Sequence, residues 1–319
     1  MIVADRIIEA ANRIRPHVRL TPLLQSAGVS ERVGSRVFLK LENLQVTGSF
    51  KARGALNKVL GLTAAERARG VVTASSGNHG VAVANAGRQA GLIPTVFLPT
   101  NAAPNKVAKI KKLGARVEVY GDDSGVTEIH ARKVAEAAGN VYVSPYNDLD
   151  VVAGQGTIGL EILTQCPSVG AVVVSVGGGG LIGGIASYLK GARPEVLVIG
   201  TSPANSCVMA ESVKHGAILD LPSLPTLSDG TAGGVEPGAV TFSLCRDLVD
   251  HYDLPNEAEI AAGMRLLFEE EGLICEGAAG VAMATAIRCA DRLQGRDVAI
   301  VLCGGNVDVG VWCGVVGAG

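Results

Sequence analysis

Residues 171–185 read Ala171-Val-Val-Val-Ser-Val-Gly-Gly-Gly-Gly-Leu-Ile-Gly-Gly-Ile185: a β-branched run, four consecutive glycines, then a second apolar stretch. A strand that ends in glycine and feeds a helix is the unit from which parallel sheets covered on both faces are built. Consecutive glycines let backbone N–H groups converge on an anion, reinforced by the partial positive charge of the helix N-terminus. One glycine would serve a tight turn, so four predict a phosphate site. Gly178-x-Gly180-x-x-Gly183 also matches the dinucleotide fingerprint, which expects an acidic residue about 20 positions on, at the end of the next strand. That strand reads Val196-Leu-Val-Ile-Gly200 and ends in Thr201-Ser202. No acid stands there, and a monophosphate fits better than a dinucleotide.

The same alternation runs outward in both directions. Strand-like runs fall at 37–41, 71–74, 95–98, 116–119, 141–143, 171–176, 196–199 and 298–302, with helical spacing at 50–60, 78–90, 105–113, 125–138, 151–163, 181–191 and 256–270. The pattern predicts an α/β chain with two open parallel-sheet lobes, helices on both faces and a ligand cleft between. Pro145-Tyr-Asn-Asp148 reads as the turn between the lobes. The expected division puts 1–48 and 148–319 in a large phosphate-binding domain and 49–147 in a small one. Residues 217–237, rich in Pro, Gly and Ser, read as a long surface excursion, either functional or disordered.

Composition narrows the function. Of 319 residues 48% are hydrophobic but only 3% aromatic, so the core is aliphatic. With 28 basic and 30 acidic residues and no basic stripe, nucleic acid is not an expected partner. No uncharged apolar run reaches the ~18 residues of a membrane span, and the charged, amphipathic N-terminus does not read as a signal peptide. The 7 cysteines are scattered without CxxC pairs, which suits reduced thiols in the cytoplasm and gives no metal-ligand spacing.

Three further segments carry chemistry. Lys51, in Ser49-Phe-Lys-Ala-Arg-Gly54, stands at a predicted helix start beside Phe50. Both surroundings disfavour an ammonium, and a neutral amine is what Schiff-base chemistry needs, although a lone lysine at a helix start is commonly a solvated one. Ser75-Ser-Gly-Asn-His79 again joins a strand to a helix. It reads as a carboxylate nest, or as an N-cap with extra polar residues. Cys303, in Val301-Leu-Cys-Gly-Gly-Asn306, is either a buried core thiol or a neutral hydrogen-bonding partner for a ligand.

Taken together, Ser49-Phe-Lys51-x-Arg-Gly-Ala55, Ser75-Ser-Gly-Asn-His79, the glycines 177–180 and Cys303-Gly-Gly resemble the serine/threonine dehydratase and serine racemase family, pyridoxal-phosphate enzymes of fold type II. The resemblance extends from about residue 3 to residue 310. It implies that Lys51 forms the Schiff base with pyridoxal 5'-phosphate, that Phe50 packs on the ring and that Asn78 bonds its 3-hydroxyl. It gives the phosphate to Gly177, Gly178, Gly179 and Gly180, and the substrate carboxylate to Ser75, Ser76, Asn78 and His79. Cys303 would face the pyridine nitrogen, and Glu276 matches a family glutamate near the cofactor.

The implied activity is β-elimination from a 3-hydroxy amino acid such as L-threonine or L-serine, giving a 2-oxo acid and ammonia, in a cytoplasmic homodimer. Ser76 departs from the alanine of many threonine dehydratases and matches the serine of racemases, where it serves as a second acid/base. Racemization is therefore the alternative, as is a less common substrate such as phenylserine, hydroxyaspartate or an ectoine-derived hydroxy acid. Family racemases also bind a divalent cation through acids at the positions of Ser202 and Val208; neither is acidic here, so no metal is expected. A cysteine-synthase-like replacement enzyme and an amino-acid sensor that lacks catalysis are more distant readings. The chain ends soon after Cys303, and an isoleucine-responsive regulatory domain is not expected.

Overall fold

A computed structural model describes residues 4–317. Ten strands form two sheets: β1 (Leu23–Ser26), β2 (Arg36–Lys40), β3 (Val71–Ala74), β4 (Thr95–Leu98), β5 (Arg116–Val119), β6 (Val141–Tyr142), β7 (Val169–Ser175), β8 (Leu197–Thr201), β9 (His251–Asp253) and β10 (Asp297–Val301). The larger sheet has the order β1-β2-β10-β7-β8-β9 and the smaller β5-β4-β3-β6. All pairings are parallel except β1–β2, where Leu23 faces Lys40 and Ser26 faces Val37 in antiparallel register. The smaller sheet draws its strands from residues 71–142 only, and the larger from both sides of that stretch.

Local sequence explains the central elements. β7 and β10 are almost wholly buried runs of Val, Ala and Ile, as strands covered on both faces must be. They pair through Val298–Ala171 and Ile300–Val173. Each helix read from spacing is present within two residues of its expected ends, among them Lys51–Leu60, Asn78–Ala90 and Gly180–Ala192. Helix Leu149–Gln165 is capped by Asp148, whose carboxylate accepts from the N–H groups of Asp150 and Val151. It carries glycines at 154, 156 and 159, where a Cβ would come within 2.9 Å of the backbone or side chains of its neighbours. These close approaches seat it against helices Lys51–Leu60 and Gly180–Ala192 and so join the lobes.

Several elements go beyond the spacing. β1 is four residues long and half polar, and β9 is three residues long. Helix Gly277–Arg288 is buried on all sides from Gly277 to Ala286, so it shows no amphipathic period. Among the described residues no helix is long and apolar enough to cross a membrane.

Candidate active site

The two sheets meet at a cavity of about 520 Å³ between their C-terminal strand ends. Phe50, Lys51, Ser75, Ser76, Asn78, His79, the glycines 177–180, Glu276 and Cys303 all line it, so residues up to 253 positions apart in sequence share one wall. Strand-to-helix turns bring them there: β3 delivers Ser75-Ser-Gly-Asn-His79, β7 the glycines, and β10 Cys303.

Lys51 opens helix Lys51–Leu60 and is half-buried. Its Nζ donates to the carbonyl oxygen of Pro145 at 2.9 Å and lies 5.1 Å from the Phe50 ring centre. Burial lowers its pKa to about 8, against the opposing pull of Glu128 and Glu276.

The N–H groups of Gly177, Gly178 and Gly179 have no hydrogen-bond partner among the described residues, and Gly180 opens a helix whose first N–H groups are free by geometry. A Cβ at 178 would stand 2.4 Å from the Tyr146 ring, and one at 177 would stand 2.9 Å from Thr231 O. Gly179 has φ +83, and a Cβ there would meet Cys245 Sγ at 2.6 Å. Unpartnered donors in a bare backbone cradle before a helix N-terminus fit a phosphate. With the low-pKa amine nearby, the donor set suits pyridoxal phosphate.

On the opposite wall, Ser75 Oγ accepts from Gly77 N–H at 3.1 Å, and Ser76 Oγ has no partner among the described residues. Asn78 Nδ2 donates to both carboxylate oxygens of Glu276 at 2.9 Å. Burial raises the pKa of that carboxyl, opposed by the donors on Asn78 and Asn306. His79 also lines the cavity, and its side chain is held by the protein itself. Burial lowers its pKa to about 3, so the ring is neutral, and its Nε2 proton goes to Val143 O at 2.9 Å. Nδ1 keeps a lone pair with no partner. A lone pair cannot hold a carboxylate, so the donor His79 can offer one is its backbone N–H in the first turn of helix Asn78–Ala90.

Cys303 is buried; burial pushes its thiol to about 12, and Ser175 Oγ lies 3.5 Å from its sulfur. Ser202 Oγ donates to Val176 O at 2.7 Å, and Val208 is buried, so neither offers a charged ligand. Among the described residues no group of three or more His, Cys, Asp or Glu could hold a metal ion.

Sequence reading did not single out Tyr146, Glu128, Ser175 or Asn306. Tyr146 and Asn306 fall inside the quoted hinge and C-terminal turn, yet nothing local marks them. Part of the 217–237 excursion reaches the cavity: its short 3-10 turn Asp229–Thr231 and the residues to Gly234 line it.

Comparison with known proteins agrees. The family model described as "Pyridoxal-phosphate dependent enzyme" matches residues 14–304. The L-threonine ammonia-lyase of Thermotoga maritima is 43% identical over 309 residues, which is 97% of this chain and 77% of that protein. The structure of maize serine racemase superposes with TM-score 0.92 at 32% identity, covering 99% of this chain and 97% of that one. The processed form of threonine deaminase isoform 2 from Solanum lycopersicum superposes with TM-score 0.92 at 31% identity, covering 98% of this chain and 93% of that one. With its glycine cradle, buried amine and near full-length match, the chain belongs to the pyridoxal-phosphate dependent enzymes.

Proposed function

We propose that the chain is an ammonia-lyase that catalyses β-elimination from a 3-hydroxy amino acid such as L-threonine or L-serine, releasing a 2-oxo acid and ammonia. One observation carries the reading: Lys51 is an amine of pKa about 8 opening onto a cavity that has a phosphate cradle on one wall and a polar nest on the other. The cofactor, when bound, supplies an electron sink that acidifies the substrate Cα–H.

The chain's own residues bind, orient and move the proton. Gly177, Gly178, Gly179 and Gly180 hold the phosphate through backbone N–H groups. Phe50 packs at the ring, and Asn78, anchored on Glu276, faces its 3-oxygen. Ser75, Ser76 and Asn78, with the N-terminus of helix Asn78–Ala90, hold the substrate carboxylate. At pH 7 about a tenth of Lys51 is neutral, against roughly one part in 3000 for an ordinary lysine, so it can take the Cα proton. Cys303 stays a neutral thiol toward the pyridine nitrogen. The separation of a small domain, 49–147, from a large one, 1–48 and 148–319, is supported by strand membership in the two sheets.

Racemization in the same cavity is the second reading. The Ser76 hydroxyl, free of protein partners, favours it as the proton donor on the face away from Lys51. The working form we assign is a cytoplasmic homodimer acting on a small amino acid; all seven cysteines are free, which suits a reducing compartment.

The test is a panel of L- and D-3-hydroxy amino acids offered to the holoenzyme, following 2-oxo acid release and the chirality of recovered substrate. Borohydride should add the cofactor mass at Lys51. Failure to deaminate any member removes the lyase reading, and chirality loss without deamination selects the racemase.

A further inference from the structure

The turn after β10 is clamped onto the segment that leads into Lys51. Phe50 N–H donates to Cys303 O at 3.0 Å, Gly305 N–H donates to Gly48 O at 2.9 Å, and Ser49 bridges Gly304. Asn306 ends that turn. Its Oδ1 accepts from Lys109 Nζ at 2.7 Å. Its Nδ2 donates to Thr47 O at 2.9 Å and to Asn78 Oδ1 at 2.7 Å, and its backbone N–H donates to Glu276 Oε1 at 2.8 Å. The chain of contacts closes where Asn78 Nδ2 reaches Glu276.

A side-chain amide fits its space either way round, and its partners alone decide which end points where. Here every outer partner has a fixed polarity. The Lys109 ammonium can only donate; the Thr47 carbonyl can only accept. Asn306 must therefore turn its nitrogen inward, Asn78 must meet it with oxygen, and the Asn78 nitrogen must point to the carboxylate. The backbone leaves room for this arrangement. A Cβ at Gly48, where φ is +80, would stand 2.7 Å from Asn306 Oδ1, and one at Gly304 would stand 2.6 Å from Glu276 Oε1.

We propose that Asn306 is a positioning residue: through Asn78 it fixes which end of the small-lobe amide faces the pyridoxal ring, presenting an N–H rather than an oxygen to the ring's 3-oxygen. Lys109 and Asn78 stand on helices of the small lobe, whereas Asn306 and Glu276 belong to the large one. The relay thus also ties the donor's orientation to the docking of the lobes. The inference rests on the pyridoxal-phosphate reading of the cavity. Without Asn306, Asn78 Oδ1 loses its donor and Glu276 alone is left to hold the amide's orientation.

The experiment titrates apo-protein with pyridoxal phosphate and reads the dissociation constant and the visible absorption of the bound cofactor. The proteins are the natural chain, Asn306→Ala, Asn78→Ala, the double variant and Lys109→Met. Asn306→Ala should weaken affinity about tenfold and shift the band, as loss of an oriented hydrogen bond does. The double variant should bind no more weakly than Asn78→Ala, because Asn306 acts through Asn78. Lys109→Met, a surface change that leaves folding intact, should shift the band in the same direction by less. Unaltered affinity and spectrum in Asn306→Ala, or losses that add in full, overturn the proposal. Should Asn306→Ala not fold, an unshifted band in Lys109→Met does so. A natural chain that binds no cofactor would instead remove the reading on which the proposal rests.

Discussion

Lys51 Nζ lies 2.9 Å from the carbonyl oxygen of Pro145, the residue at which the chain leaves the small sheet for helix Leu149–Gln165. The carbonyl aims the amine into the cavity whether or not it is protonated, so protonation alone sets its reactivity. Burial brings its pKa from 10.5 to about 8. Cofactor capture by apo-protein should therefore quicken about tenfold per pH unit below pH 8 and level off above it. Stability changes with the same proton. Between about 8 and 10.5 the unfolded chain binds more protons at this position than the folded one, so apo-protein gains stability as pH rises through that window. Stopped-flow uptake across pH checks this; a rise that continues toward pH 10.5 would mark an ordinary lysine.

Gly178→Ala places a methyl 2.4 Å from the Tyr146 ring. The ring cannot swing away freely, because its hydroxyl accepts from Glu236 N–H at 2.9 Å and so holds the loop that lines the cavity. We expect a loss of about 1–3 kcal/mol in stability from overpacking and at least about tenfold weaker cofactor binding as the cradle shifts. Thermal melting and cofactor titration measure both, and natural affinity in the variant would show that the cradle lies elsewhere.

What was legible in the sequence were the features that local chemistry enforces. Four glycines after a buried strand, a polar nest before a helix and a lysine at a helix start are visible because each turn needs particular residues. Helix Gly277–Arg288 was not, since a helix buried on every side has no period to read. β1 is a strand by virtue of its pairing with β2, not its composition. Asn306 and Tyr146 acquire their partners only when the lobes meet. His79 stood in a correctly placed motif, yet its proton is committed to Val143, a contact 64 residues away in the chain.

Cys303 is held neutral by burial, with its thiol at about 12. A neutral thiol cannot keep a facing pyridine nitrogen protonated as a carboxylate would, so it disfavours the long-lived carbanion from which side reactions arise. Cys303→Asp should raise transamination and depress elimination. The partition between the two, measured by cofactor release as the amine against 2-oxo acid formed, checks this; an unchanged ratio would remove Cys303 from control of the reaction.

Arg53, two residues beyond Lys51 on the same helix, is wholly buried between two carboxylates. It reaches Glu42 through Nε at 2.8 Å and Nη2 at 2.7 Å, and Glu161 through Nη1 at 2.7 Å and Nη2 at 2.9 Å. Lys40 Nζ adds a 2.5 Å contact to Glu161. Burial works to raise the Glu42 pKa, but Arg53 and Thr21 outweigh it and hold the carboxyl below its ordinary value. Its contribution is thus present above the unfolded pKa of about 4.5 and fades as pH falls through the lower folded value. Arg53→Met leaves two carboxylates sharing one lysine, which should cost about 3–5 kcal/mol at neutral pH. Without Arg53, only Thr21 and Lys40 oppose burial at Glu42, which takes up a proton at higher pH, so the variant's deficit should shrink on mild acidification. Adding Glu42→Gln should recover part of the loss, because it removes the charge left without a counter-ion. Denaturant unfolding at two pH values tests all three statements, and a deficit that grows on acidification would mean that the carboxylate is stabilised by something other than Arg53.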